Sequence, residues 1–234
     1  MPLRSGKLAA PFPETRMKLY GSLASPYVAR VVLFARLKGI ALEPRMPEGG
    51  IKSAEYLAKN PMGKMPLLDL DGVAIPESEV ICELLEDLHP GTGGLTGGPV
   101  DRARARLISR LHDMYVIPPA DVLFRNLKPA TRDAQAVANA RQSFERGIGY
   151  LERFVVAAPF AAGGALSLAD CALLPSFLIL RKTAVPAFGL TDPTAGTGRL
   201  GRWWSTVERD STIGRFLEEY SAAVDAFLKR LAAQ

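Results

Sequence analysis

The glycine-rich run Gly91 to Pro99, GTGGLTGGP, divides the chain into two stretches with different periodicities, and that division limits the possible folds more than any other feature. Before it, short alternating apolar runs sit between helical repeats; from Val100 onward strand signals vanish and helical spacing alone remains. Such a composition reads as an interdomain linker. Its glycines do not make a phosphate loop, because no Gly-Lys followed by Ser or Thr comes after them. The predicted layout is a loose, proline-bearing leader over 1–16, a small α/β domain over 17–91, a linker over 92–99 and an all-helical domain over 100–234.

In the first domain, Met17 to Tyr20 reads as a strand that stops at Gly21. Ser25-Pro26 then supplies a helix cap with proline at the first helical position, where its missing N–H costs nothing. Val28, Val31, Val32 and Ala35 repeat at helical spacing, and Lys38-Gly39 closes that helix. Ile40 to Met46 is a second strand, weakened by Pro44, and Ser53 to Ala58 a short helix. Asp71-Gly72 between two β-like runs is a hairpin signal, since both central positions of its turn favour positive φ. Glu77 to Leu88 is the next helix.

The later helices are predicted over Asp101 to Phe124, interrupted at Pro118-Pro119, then over Thr131 to Val156, Arg199 to Arg209 and Phe216 to Leu231. Between them, Ser167-Leu168-Ala169-Asp170 is a capping pattern with Leu166 and Cys171 as the staple pair, and it reads as structural.

Composition excludes several classes. With 48% apolar and 23% charged residues the chain is globular in type. No apolar run approaches the ~18 residues of a membrane span, and the N-terminus lacks the apolar middle of a signal peptide. The net charge of +5 and pI near 9.3 come from scattered Lys and Arg, which points to small anions rather than nucleic acid. Cys82 and Cys171 both fall in apolar helical patterns and read as buried thiols of a reducing compartment; with two His and no CxxC, no metal or thiol-redox centre is expected.

The chemistry concentrates in Lys52 to Glu86. Met65-Pro66 begins a strand with a proline, and Glu77-Ser78 opens a helix with a carboxylate and a hydroxyl, so the stretch suits an extended, peptide-like anion. Four features taken in order, KLYGSLASPYVARVVL, NPMGKMPLL, PES and SLAD, resemble the soluble glutathione transferase family of serine type over residues 17 to 234. The resemblance implies a thioredoxin-like N-terminal domain followed by an all-helical C-terminal domain, and a homodimeric cytoplasmic enzyme of detoxification. Its partners would be glutathione as co-substrate and a small hydrophobic electrophile, with no metal, membrane or nucleic acid.

Residue by residue, the resemblance makes Pro66 cis and sets the backbone of Met65 against the cysteinyl amides of glutathione. It assigns the γ-glutamyl end to Glu77 and Ser78, and the glycine carboxylate to Lys52 with Lys64 sharing. Ser25 would activate the thiol by donating one hydrogen bond at a helix N-terminus; Ser22 and Tyr20 are the alternatives. Arg30 either adds positive potential or lies on a solvated or interdomain face. Leu23, Tyr27, Tyr115, Phe124 and Trp203 are candidates for the wall of a second, apolar pocket. Because position 25 is not cysteine, thiolate attack is favoured over a mixed disulfide. The other readings are a glutathione-dependent isomerase or a disulfide- or peroxide-handling enzyme with the same site, and a non-catalytic ligand or partner binder.

Overall fold

A computed structural model describes residues 16–157 and 159–233, so all of the expected leader except Arg16 lies outside the described residues. The first half is a four-stranded sheet of order β2-β1-β3-β4, with β1 at Met17–Tyr20, β2 at Pro44–Arg45, β3 at Leu67–Leu70 and β4 at Val73–Pro76. β1 and β2 run parallel, joined through helix α1 (Pro26–Leu37), whereas β3 and β4 are antiparallel additions. The hairpin turns at Asp71 and Gly72, with φ of 49° and 90°, as the Asp-Gly pair predicts. The expected second strand shrinks to two residues. Pro44 has no N–H to give a ladder, and the residues before it make no strand.

Helix α1 is buried from Val28 through Ala35, because it packs against both α3 (Ser78–Leu88) and the central helix α7 (Leu168–Lys182). A helix covered on all sides has no solvent face for a charge. Arg30 is accordingly 1% exposed. Helix α2 (Ala54–Lys59) is capped by Ser53, whose hydroxyl accepts from the Tyr56 N–H at 3.2 Å.

The second half is helical: α4 (Pro99–Leu111), α5 (Ile117–Arg125), α6 (Ala134–Phe154), α7, α8 (Ala184–Phe188), α9 (Arg199–Val207) and α10 (Ser211–Ala232). Pro118-Pro119 does not end a helix as expected. The helix instead widens into a π turn over His112–Val116, and the prolines enter the first turn of α5, where they are tolerated. Helix α10 starts at Ser211 rather than Phe216, because Asp210 caps it by accepting from Thr212 and Ile213.

The glycine-rich connection is tied down along its length. Lys38 pairs with Glu86 and donates to the carbonyls of His89 and Thr92; Glu86 accepts from the Leu95 N–H, and Leu168 N–H donates to the Gly94 carbonyl at 3.0 Å. Any Cβ on Gly93 would stand 2.5 Å from the Leu37 carbonyl oxygen, and one on Gly94, whose φ is +96°, 2.6 Å from the Phe34 ring. Close approach, not slack, requires glycine here.

Candidate functional site

A cavity of about 630 Å³ opens between the sheet half and helices α5, α7 and α10. Ser25, Lys52, Lys64, Met65, Pro66, Glu77 and Ser78 all line it, so the structure brings together on one side the seven residues singled out from sequence.

Ser25 closes the loop after β1 through its N–H, which donates to the Ser22 carbonyl at 3.0 Å, and its own carbonyl accepts from Ala29 in the first turn of α1. Its hydroxyl caps no helix N–H. Ser22 is held differently: its N–H donates to the Met65 sulfur and its hydroxyl accepts from the Ala24 N–H, and it does not line the cavity. Tyr20 faces a separate groove with Arg45 and Lys59 and packs edge-on against Tyr56. Of the three groups weighed for the thiol, only Ser25 borders the cavity.

The Met65–Pro66 bond is cis. Just before it, the Lys64 carbonyl accepts from the Tyr56 hydroxyl at 2.6 Å and from Asn60 Nδ2 at 2.9 Å, which fixes the loop leading into β3. Tyr56 did not stand out in the sequence, and Asn60 did so only as the first residue of the NPMGKMPLL run. Lys52 is anchored by donating to the Gly63 carbonyl at 3.0 Å, leaving further ammonium hydrogens for a ligand.

Glu77 precedes α3 with φ 71° and ψ 116°, a backbone region that a residue with a Cβ rarely occupies. Its side chain is exposed and caps nothing. Ser78 follows as the first residue of α3, 4% exposed, and its hydroxyl oxygen accepts from Arg30 at 3.2 Å. Arg30 is neither solvated nor bare: Asp113, from the π turn, takes both ends of its guanidinium. Burial is the largest single influence and pulls the Arg30 pKa down, but the hydrogen bond to Asp113 and the charges of Asp113 and Glu79 together hold the group above its ordinary value. Burial likewise pushes the Asp113 carboxyl up, yet Arg30 and His112 together hold it well below the usual carboxylate range.

The opposite wall is largely apolar, built by Ile117, Ala120 and Phe124 of α5, Ile179 and Leu180 of α7, and Phe227 of α10. The rings of Phe124 and Phe227 lie near parallel, 6.4 Å between centroids and 15° apart. Tyr27 joins this wall; burial, aided by the carboxylates of Asp121 and Asp113, raises its phenol to about 12, so it stays protonated near neutral pH. Three wall candidates lie elsewhere. Leu23 packs on the core, Tyr115 stands outside edge-on to Tyr150, and Trp203 is buried and donates to Asp170 at 2.8 Å. Helical spacing gives core and pocket residues the same signature, which is why Ile179, Leu180 and Phe227 were missed.

Residues 19–93 match the glutathione S-transferase N-terminal domain and residues 112–210 the glutathione S-transferase C-terminal domain. Glutathione S-transferase 2 of Saccharomyces cerevisiae is 25% identical over 221 residues, covering 88% of this chain and 91% of the yeast protein. A probable glutathione S-transferase of Oryza sativa subsp. japonica is 31% identical over 163 residues, 67% of this chain and 69% of the rice protein. Among solved structures, a glutathione transferase of Phanerochaete chrysosporium in complex with oxidized glutathione superposes with a TM-score of 0.73 at 19% identity, over 90% of this chain and 98% of that one, a likeness of fold. Two adjoining domain matches in the expected order, on a thioredoxin-like sheet followed by helices, place this chain in the glutathione S-transferase family.

Proposed function

We propose that the protein binds glutathione along the sheet side of the cavity, activates its thiol with Ser25, and directs the thiolate at a hydrophobic electrophile held between α5, α7 and α10. The observation that carries this reading is the position of the Ser25 hydroxyl: it borders the cavity at the N-terminus of α1, where its one hydrogen can be donated to a sulfur whatever its lone pairs accept. A donated hydrogen bond and the positive end of the helix both favour thiolate over thiol, and each unit of lowered pKa corresponds to about 1.4 kcal/mol. The thiolate then forms a sulfur–carbon bond, by displacing a leaving group or by adding to a conjugated double bond that afterwards takes up a proton.

The remaining contacts are those the family resemblance implies, and the position of the residues along the cavity supports them. The backbone at Met65, next to the start of β3, offers its N–H and C=O to the cysteinyl peptide as an added strand would. Ser78 and the N-terminal peptide groups of α3 suit the γ-glutamyl carboxylate, while Glu77 accepts from the ammonium beside it. Lys52 and Lys64 stand on the same side for the glycine carboxylate.

The test is glutathione binding and turnover over a panel of aryl halides, enals, hydroperoxides, disulfides and maleylacetoacetate-like isomers. Ser25→Ala is expected to bind glutathione nearly as well, with the bound thiol pKa about one unit higher and turnover near neutral pH roughly tenfold lower. Full turnover with an unchanged thiol pKa would overturn the role of Ser25. Failure of the wild type to bind glutathione would overturn the whole reading.

A further inference from the structure

Ser176 sets a hydroxyl into the apolar side of the cavity. On α7 it shares one face with Ile179, Leu180 and, just past the helix, Thr183, at spacings of three, four and seven residues, and all four line the cavity. It stands at the inner end of that stripe: Leu168 through Leu178 are all buried, whereas Ile179 is half-buried and Arg181 is exposed. Ser176 itself is 2% exposed.

A hydroxyl inside a helix commonly turns back to the carbonyl four residues earlier. Thr183 does so, donating to the Ile179 carbonyl at 2.6 Å, and Ser205 of α9 does so to Gly201 at 3.0 Å. Ser176 does not. Pro175 just before it has no N–H, so the Cys171 carbonyl is left without the donor that position would supply, yet the Ser176 hydroxyl does not take that carbonyl either. Among the described residues it has no hydrogen-bond partner, and it is not sealed inside the protein as the Tyr220 hydroxyl and the Trp204 indole N–H are, because it borders the cavity. A polar hydrogen at the bottom of an apolar pocket is unfavourable unless something meets it there.

We propose that Ser176 is a specificity-determining residue for the second substrate: its hydroxyl donates to an oxygen on the inner end of the electrophile, so that the protein prefers compounds carrying a carbonyl or nitro oxygen there over hydrocarbon analogues of the same shape. The inference rests on the proposed attack of the thiolate on an electrophile held between α5, α7 and α10. Carbon is made electrophilic by electron-withdrawing groups. Carbonyl and nitro groups present acceptor oxygens and no donor, which suits a hydroxyl with a hydrogen to give. Ile179 and Leu180 beside it, with Phe124 of α5 and Phe227 of α10, pack the apolar body of the ligand, and Ser176 adds a directional contact.

The experiment measures kcat/KM on the full chain, at saturating glutathione, for 4-acetylbenzyl chloride and 4-isopropylbenzyl chloride, a pair alike in shape, and for the corresponding 3-substituted pair. In each reaction the thiolate sulfur bonds to the benzylic carbon and chloride leaves with the bonding electrons. Dividing variant by wild type for each chloride cancels its intrinsic reactivity. Ser176→Ala is expected to lower kcat/KM about fivefold for an acetyl compound and less than about twofold for its isopropyl partner. Ser176→Cys, which puts a weak donor of similar size in the same place, is expected to show the same selectivity with a smaller loss, and it decides the matter should the alanine variant not fold. Equal losses within both pairs, or none, overturn the role of Ser176, since a structural defect in the wall weakens both partners alike. Wild type that binds glutathione but turns over none of the four chlorides refutes the transfer reading itself, and the proposal falls with it; turnover of all four with no selective loss in either variant defeats Ser176 alone.

Discussion

Among the serines at helix N-termini, Ser25 ahead of α1 and Ser167 ahead of α7 dispose of their hydroxyl hydrogens in opposite ways. Ser167 donates to Asp170 Oδ2 at 2.8 Å, and the same fully buried carboxylate accepts from the N–H groups of Ser167 and Ala161 and from the Trp203 indole. Nothing at that corner is left for a ligand. Ser25 begins a helix whose first position is Pro26, which has no N–H to satisfy, and its hydroxyl caps nothing. One serine locks a helix into the core. The other keeps its hydrogen at the edge of a cavity, and the difference is set by what the neighbouring residues ask of each, not by the residue or the helix position.

The largest expected effect lies on the structural side of this contrast. Asp170→Ala strands three buried N–H donors and is expected to cost about 3–5 kcal/mol in chemical denaturation. A loss no greater than that of an average surface change would mean the corner is not the closed unit described. Next comes Ser25→Ala, whose denaturation midpoint should stay within about 0.5 kcal/mol of wild type while turnover falls roughly tenfold. Should it instead lose stability with the thiol pKa unmoved, the two serines would belong to one class and the contrast would collapse. Ser167→Ala removes a single hydrogen bond to a carboxylate, and about 1 kcal/mol is expected, read from the same denaturation curves with activity per folded molecule unchanged. The smallest effect is at exposed Lys52, where Lys52→Ala should weaken glutathione binding about two- to threefold at low salt and less at high salt.

Much of the sheet half was legible because its signals are local. Met17 to Tyr20, the Asp71-Gly72 turn and the start of α1 at Pro26 each depend on a few adjacent residues. The cavity's polar side was legible for a related reason: Met65-Pro66 and Glu77-Ser78 are short motifs placed by a hairpin. What escaped reading depends on packing between distant segments. Arg30 meets Asp113 across 83 residues, and nothing in the sequence around either one marks the pair. Pro118-Pro119 looked like a break because proline rules describe an isolated helix; the chain accommodates them by a wider turn one step earlier. Phe227 could be placed on a wall only once α10 was laid beside α5.

The tied-down glycine run between the halves bears on how this protein can be recombined. Hybrid enzymes are made most readily by cutting at a flexible join and attaching a new partner, and GTGGLTGGP has the composition of such a join. Here the seam is shared property: Gly93 and Gly94 fit against α1, while the Gly94 carbonyl receives the Leu168 N–H from the far half. A chimaera that replaces one side must therefore bring a surface shaped for residues 92–98, and a flexible serine-glycine substitute of equal length would separate modules that this fold keeps in registry.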